Sequence, residues 1–163
     1  MSKPEFVYVT YIATTPEKLW AALTRGEFTK TYWYERRIES DWTAGSPVVF
    51  YDGDSDVRTD GGVVLEIDPP RLLSYSFQPE FSEEAKKMGT SRVTFTLEPH
   101  EGTVKLTLVH DELPSEEMAE GFREGWAPIL SSLKTFLESG KPLPRIRALE
   151  EQGRPQARQS QTR

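Results

Sequence analysis

The sequence predicts an α+β fold, a curved antiparallel sheet of about seven strands around one long C-terminal helix, with two short helices after the first strand. Two periodicities carry this reading. Apolar residues alternate in Val93-Phe95-Leu97 and in Val104-Leu106-Leu108, as they do in strands with one buried face. From about Glu116 to Ser139 they recur at helical spacing instead, as Met118, Phe122, Trp126, Ile129, Leu130, Leu133, Phe136 and Leu137. The third observation is that no other element has a stripe long enough to cover the sheet, so the last helix must do so.

The elements follow in order. "EFVYVTYIA" (5–13) is β-branched and aromatic, hence a strand. In "TTPEKLWAALT", Thr14 stands three residues before Glu17 as in a capping box, and Pro16 suits a first helical turn. Pro16, Leu19, Trp20 and Leu23 then share one helical face, with Trp20 and Leu23 as core. After Gly26, "EFTKTYWY" adds a short second helix carrying Phe28, Tyr32 and Trp33. Six strand segments follow, paired around the turns "TAGS", "PP" and "HEG" and around one longer connection. The last helix opens on Ser115 as N-cap, with Glu116 and Glu117 at its positive end, and stops at Gly140. It would run about 36 Å. Pro128 removes the N–H that would bond back to Glu124, so a kink or loosened turn is expected near Trp126.

With 163 residues the chain holds one full core, assigned to 1–140, followed by a disordered basic tail at 141–163. The body has 14 Lys/Arg against 24 Asp/Glu, net −10, and the tail 6 against 2, net +4. An acidic body argues against nucleic acid, whose phosphates need Lys and Arg to replace their counterions. There is no apolar run long enough for a membrane span, no signal-peptide core in "MSKPEFVYV", and no Cys. The expected location is cytoplasmic.

Catalytic chemistry has little to stand on. Without Cys or a G-x-S-x-G elbow no nucleophile stands out, and only two histidines are present to act as bases. His100 lies in the hairpin "EPHEG" and reads as exposed. His110 ends a strand before Asp111 and Glu112, and is a weak catalytic candidate at a cavity edge; the competing reading is a strand-end His bonded to backbone. No His/Cys cluster suggests a metal, no glycine motif cradles a phosphate, and no cofactor is expected. "YDGDSDVRTDGG" (51–62) opens like an EF-hand loop. Counted from Asp52, however, Val57 stands where Gly is needed and Val63 where the bidentate Glu should be. It reads as a long hairpin connection whose carboxylates face water, with Arg58 as a partner. Of the adjacent Arg36 and Arg37, one could meet an anionic group while the other points to the opposite face.

Four stretches, "IATTPEKLWAALT", "GGVVLEIDPPRLLSYSF", "TLVHDELPSEEMAEGFREGW" and "ILSSLKTFLESG", resemble the START-like, birch-pollen-allergen-like (SRPBCC) superfamily with its helix-grip fold. Within it the chain is similar to bacterial proteins related to the activator of the heat-shock-protein-90 ATPase. The resemblance implies a cavity between sheet and long helix, opening near the short helices. Bulky Phe122 and Trp126 on a kinked helix support it, as do the aromatics Phe28, Tyr32 and Trp33 near the mouth. The ligand-contacting set expected on this basis is Phe28, Tyr32, Trp33, Tyr75, Phe77, Met118, Phe122, Trp126 and Ile129. For each of them core packing is the competing reading. The leading expectation is non-enzymatic binding of a small apolar or aromatic molecule. The alternatives are a module that binds and stimulates a chaperone ATPase, and a cyclase- or hydrolase-type enzyme using His110. Both monomer and homodimer stay open, since no long apolar patch demands pairing.

Overall fold

A computed structural model describes residues 3–144. In chain order the elements are β1 (Phe6–Ile12), α1 (Pro16–Thr24), α2 (Gly26–Tyr32), β2 (Arg36–Ser40), β3 (Pro47–Asp52), β4 (Arg58–Asp68), β5 (Leu72–Pro79), α3 (Glu83–Lys86), β6 (Ser91–His100), β7 (Thr103–Asp111) and α4 (Glu116–Ser139). Strands β2 to β7 form a continuous antiparallel meander, and β1 pairs with β7, giving the order β1-β7-β6-β5-β4-β3-β2. The first strand and the second therefore lie at opposite edges. Helices α1 and α2 carry the chain from one edge to the other, and α4 returns across the face between them.

Local chemistry explains the boundaries. Helix α1 is capped by Thr15, whose hydroxyl accepts from Lys18 N, with Pro16 in the first turn. The cap thus falls one residue later than the Thr14 capping box, because Pro16 at the first helical position leaves its neighbour as the last extended residue. Helix α4 begins at Ser115, which accepts from Met118 N, and ends at Gly140 with φ 86°, a left-handed conformation that glycine adopts at no steric cost. Pro128 lies inside α4, which remains helical on both sides of it. Helix α3 has no counterpart in the sequence reading; Ser82 caps it through Ala85 N.

The β3–β4 connection is shorter than expected. Strand β4 starts at Arg58, not near Gly62, so Asp60 lies within the strand and is buried. The carboxylates do not all face water either. Asp52 is buried, Asp54 pairs with Lys30 at 2.8 Å, and Arg58 pairs with Glu80 at 3.0 Å and not with the loop aspartates. Lys30 holds the Asp54 carboxyl below its ordinary range by hydrogen bond and charge. Among the described residues no group of three or more His, Cys, Asp or Glu is placed to hold a metal ion, and no helix is long and apolar enough to cross a membrane.

The core lies between the concave sheet face and α4. Tyr75, Phe77, Val93, Phe95, Leu97, Leu106 and Leu108 line the sheet, and Trp126, Ile129, Leu130 and Leu133 descend onto it. Trp20 is only partly buried against this core, whereas Leu23 lies fully within it. The C-terminal half of α4 is tied to the end of β1, since Lys134 Nζ donates to Tyr11 O and Ala13 N donates to Glu138. The expected disordered extension lies, from residue 145 on, outside the described residues.

Gly62 is the tightest point of the sheet. A Cβ there would overlap the Ser76 carbonyl oxygen and stand 2.6 Å from the carbonyl carbon, both rigid backbone atoms of the paired strand. Gly62→Ala is therefore expected to destabilise the fold by about 2–3 kcal/mol through strand displacement. Urea unfolding would read this as a lowered midpoint, and an unchanged midpoint would contradict the register described here.

Candidate functional site

A cavity of about 680 Å³ opens between the N-terminal half of α4 and the end of the sheet formed by β2, β4 and β5. That volume falls in the range of small-molecule sites, about 300–1,000 Å³. Its floor and walls are aromatic. Trp33 meets Trp126 at 5.0 Å between centroids and Phe50 at 5.1 Å, and Phe77 stands edge-on to Phe122 at 5.7 Å. Phe81, Met88 and Pro114 complete an apolar rim near α3, where Lys87, Glu117 and Glu124 bring exposed charges.

The backbone places these groups by unusual means. Tyr34 and Glu35, between α2 and β2, both have positive φ (47° and 60°), a conformation that costs non-glycine residues roughly 1–3 kcal/mol each. The reversal lets Trp33 turn into the core while the Tyr34 hydroxyl reaches α4 and donates to Gly125 O at 3.1 Å. Gly121 and Gly125, one turn apart on α4, both border the cavity, and a Cβ at either would meet open space.

Of the nine residues expected to contact a ligand, Trp33, Phe77, Met118, Phe122, Trp126 and Ile129 line this cavity. Tyr75 is fully buried deeper in the core, among Phe50, Phe95 and Trp42. Phe28 packs on Phe136 instead. Tyr32 borders a separate groove of about 220 Å³ between α2 and α4, and its hydroxyl donates to Ala22 O. Burial raises the phenol pKa of both Tyr32 and Tyr75, so both stay neutral.

Besides the exposed rim charges, two buried charged residues line the cavity, and the sequence does not place them there. Arg36 Nε donates to Asp60 Oδ2 at 2.7 Å, and the two are only 7% and 2% exposed. Arg37, the next residue, points to the other face, where it binds Glu39 and stacks over Tyr51. The adjacent-arginine pattern carried half of this signal. The other half was hidden, because Asp60 looked like one more loop carboxylate until β4 was seen to start at Arg58.

His110 does not stand at the cavity edge. It is fully buried on β7, packed against Phe122 at 4.3 Å, and is not among the residues that line the cavity. Both ring nitrogens are engaged. The Trp126 indole N–H donates to Nδ1 at 2.9 Å, and Nε2 lies 2.7 Å from Ser91 Oγ. An indole nitrogen can only donate, so Nδ1 must be bare and Nε2 must carry the proton. Nε2 then donates to Ser91 Oγ, whose hydroxyl in turn donates a hydrogen bond to Phe77 O at 3.3 Å. Burial pushes the His110 pKa down to about 4, partly opposed by Asp111.

Because the unfolded His titrates near 6.5, the neutral form is favoured by folding. This contribution is whole above about pH 6.5 and is lost as pH falls towards 4, the loss reaching about 3 kcal/mol. His110→Phe should flatten the fall in stability between those limits, which denaturant unfolding at stepped pH would measure. A parallel slope in wild type and variant would refute the depressed pKa of His110.

Residues 13–138 match the family model described as "Activator of Hsp90 ATPase homolog 1-like protein". No curated protein matches the sequence significantly. Among solved structures, the chain is similar to that of a Cytophaga hutchinsonii protein, at 26% identity and TM-score 0.67 over 84% of this chain and 95% of the other. It is also similar to the Aha1 dimer from Colwellia psychrerythraea (24%, TM-score 0.65, 85% and 98% covered) and to an HSP90 activator from Plasmodium falciparum (21%, TM-score 0.66, 82% and 95%). The latter two likenesses concern the fold alone. With the helix-grip architecture and a family match across most of the described chain, the protein belongs to the activator of Hsp90 ATPase homolog 1-like family.

Proposed function

We propose that this protein binds a small apolar or aromatic molecule in the cavity between α4 and the sheet. The observation that carries the reading is the cavity itself, a space of about 680 Å³ walled by Trp33, Phe77, Phe122, Trp126 and Ile129. A core of this size has no need to leave such a volume unfilled, since interiors pack close to crystal density. Aromatic walls suit flat ligands, which they contact by offset or edge-on stacking.

Native mass spectrometry of the purified protein is the first test. A retained small molecule at near-unit stoichiometry is expected, and Phe122→Ala should weaken its rebinding about tenfold or more while leaving the fold intact. Failure to retain any molecule, together with no response of the Trp33 and Trp126 indole resonances to aromatic probes, would remove this reading.

The family match favours a second reading, a module that acts on an Hsp90-type chaperone. It places function on the surface and not in the cavity. Addition of the protein to a bacterial Hsp90-type chaperone would then accelerate ATP hydrolysis, and Phe122→Ala would leave that acceleration unchanged. An unaltered ATPase rate with no complex recovered would discard this second reading.

A further inference from the structure

The chain leaves the long helix and doubles back along it. Gly140, at φ 86°, turns the backbone out of α4, and Leu143 N then donates to Ser132 Oγ at 3.1 Å. Residues 142–144 therefore return antiparallel to the helix. Pro142 and Pro144 fix their own φ and hold Lys141 and Leu143 out of helical geometry, which keeps this return extended. All three residues line the groove between α2 and α4, beside Pro128, Ser132 and Tyr34. Tyr34 also lines the cavity, so the described chain ends in a groove that shares a wall with it.

One face of α4 joins the two hollows. Ser132, Pro128, Gly125, Gly121 and Glu117 follow at helical spacing, with Glu124 beside Gly125. Ser132 and Pro128 border the groove that the returning chain occupies, whereas the other four border the cavity. A Cβ on either glycine would meet open space, so this part of the face is bare and lets another backbone come close. The lengths agree. From Ser132 the helix spans about 10 Å to Gly125 and about 17 Å to Gly121. Extended chain beyond Leu143 covers about 10 Å by Ile146 and about 20 Å by Leu149.

Composition identifies the occupant. Residues 145–149, "RIRAL", hold two apolar side chains, Ile146 and Leu149, with two arginines and no acidic residue. The rim offers Phe81, Met88 and Met118 to the apolar pair. Its exposed charges are Glu117 and Glu124 against Lys87, acidic in sum. A second copy would bring the same acidic rim to this one. The chain's own continuation brings Arg145 and Arg147 instead, and its tether holds it at high effective concentration.

We propose that residues 145–149 dock along α4 over Gly125 and Gly121 and cover the open side of the cavity. Ile146 and Leu149 cover the apolar rim, and Arg145 and Arg147 answer Glu117 and Glu124. The docking does not depend on the small-molecule reading, but a ligand of that kind would be enclosed by it.

The sequence has no Cys, so Gln152→Cys in the full chain gives one thiol for a nitroxide label just beyond the segment. The indole N–H signals of the four tryptophans then report where the label lies. Trp33 and Trp126, on the cavity wall, should lose most of their intensity relative to the reduced label. Trp20 and Trp42, which do not line the cavity, should keep more of theirs. Adding Ile146→Asp and Leu149→Asp to the labelled chain should restore the Trp33 and Trp126 signals, with unchanged Trp20 and Trp42 shifts showing that the fold is intact. Equal losses at all four indoles, no loss at any, or a loss that survives the two aspartates overturns the docking. A loss that fades on dilution would come from a second copy and overturns it as well. Loss at Trp33 and Trp126 in a chain whose indoles ignore methylnaphthalene up to roughly 1 mM upholds the docking and counts against the small-molecule reading alone.

Discussion

The bond from the Trp126 indole to Nδ1 of His110 determines how the long helix lies on the sheet. It joins the middle of α4 to the last turns of β7, and through Ser91 it extends to the Phe77 carbonyl, so one chain of hydrogen bonds crosses β7, β6 and β5. On the C-terminal side of this point Leu130 and Leu133 close down on the core with almost no exposed surface. On the N-terminal side Met118, Gly121, Phe122 and Gly125 face open space. The cavity lies on the N-terminal side of this station along the helix.

The cavity survives because its walls brace one another. Trp33 is gripped between Phe50 and Trp126, and Phe77 between Phe50 and Phe122, in tilted or edge-on contacts that resist collapse better than aliphatic chains would. The left-handed turn at Tyr34 and Glu35 adds a strut, since the Tyr34 hydroxyl holds the Gly125 carbonyl from the far side. This carbonyl lies one residue beyond that of Glu124, which Pro128 leaves without its usual helical donor. The missing helical bond and the strut therefore fall within one turn of each other, beside the opening.

The fold was legible in the sequence because its signals are local. Strand alternation, the helical stripe of α4, Ser115 and Gly140 each speak for their own element, and consistent local choices make a sheet gripping a helix hard to avoid. The cavity wall was legible to the extent that it is built from large aromatics on those elements. What stayed hidden depends on phase. A strand that starts four residues earlier moves Asp60 from a solvated loop to the buried face, and nothing in "DVRTDGG" announces where alternation begins. His110 was misplaced for a similar reason, as its neighbours in the chain are carboxylates but its neighbours in space are Phe122, Trp126 and Ser91.

The two buried polar devices of this core follow opposite rules. The Trp126–His110–Ser91 relay is neutral, each donor meets an acceptor, and burial itself keeps the imidazole uncharged. It is the arrangement expected where polar groups serve the fold. Arg36 and Asp60 form an ion pair at a comparable degree of burial, where the desolvation of both groups offsets much of their attraction. Of the neutral device only Trp126 reaches the cavity wall, whereas both members of the charged one line it.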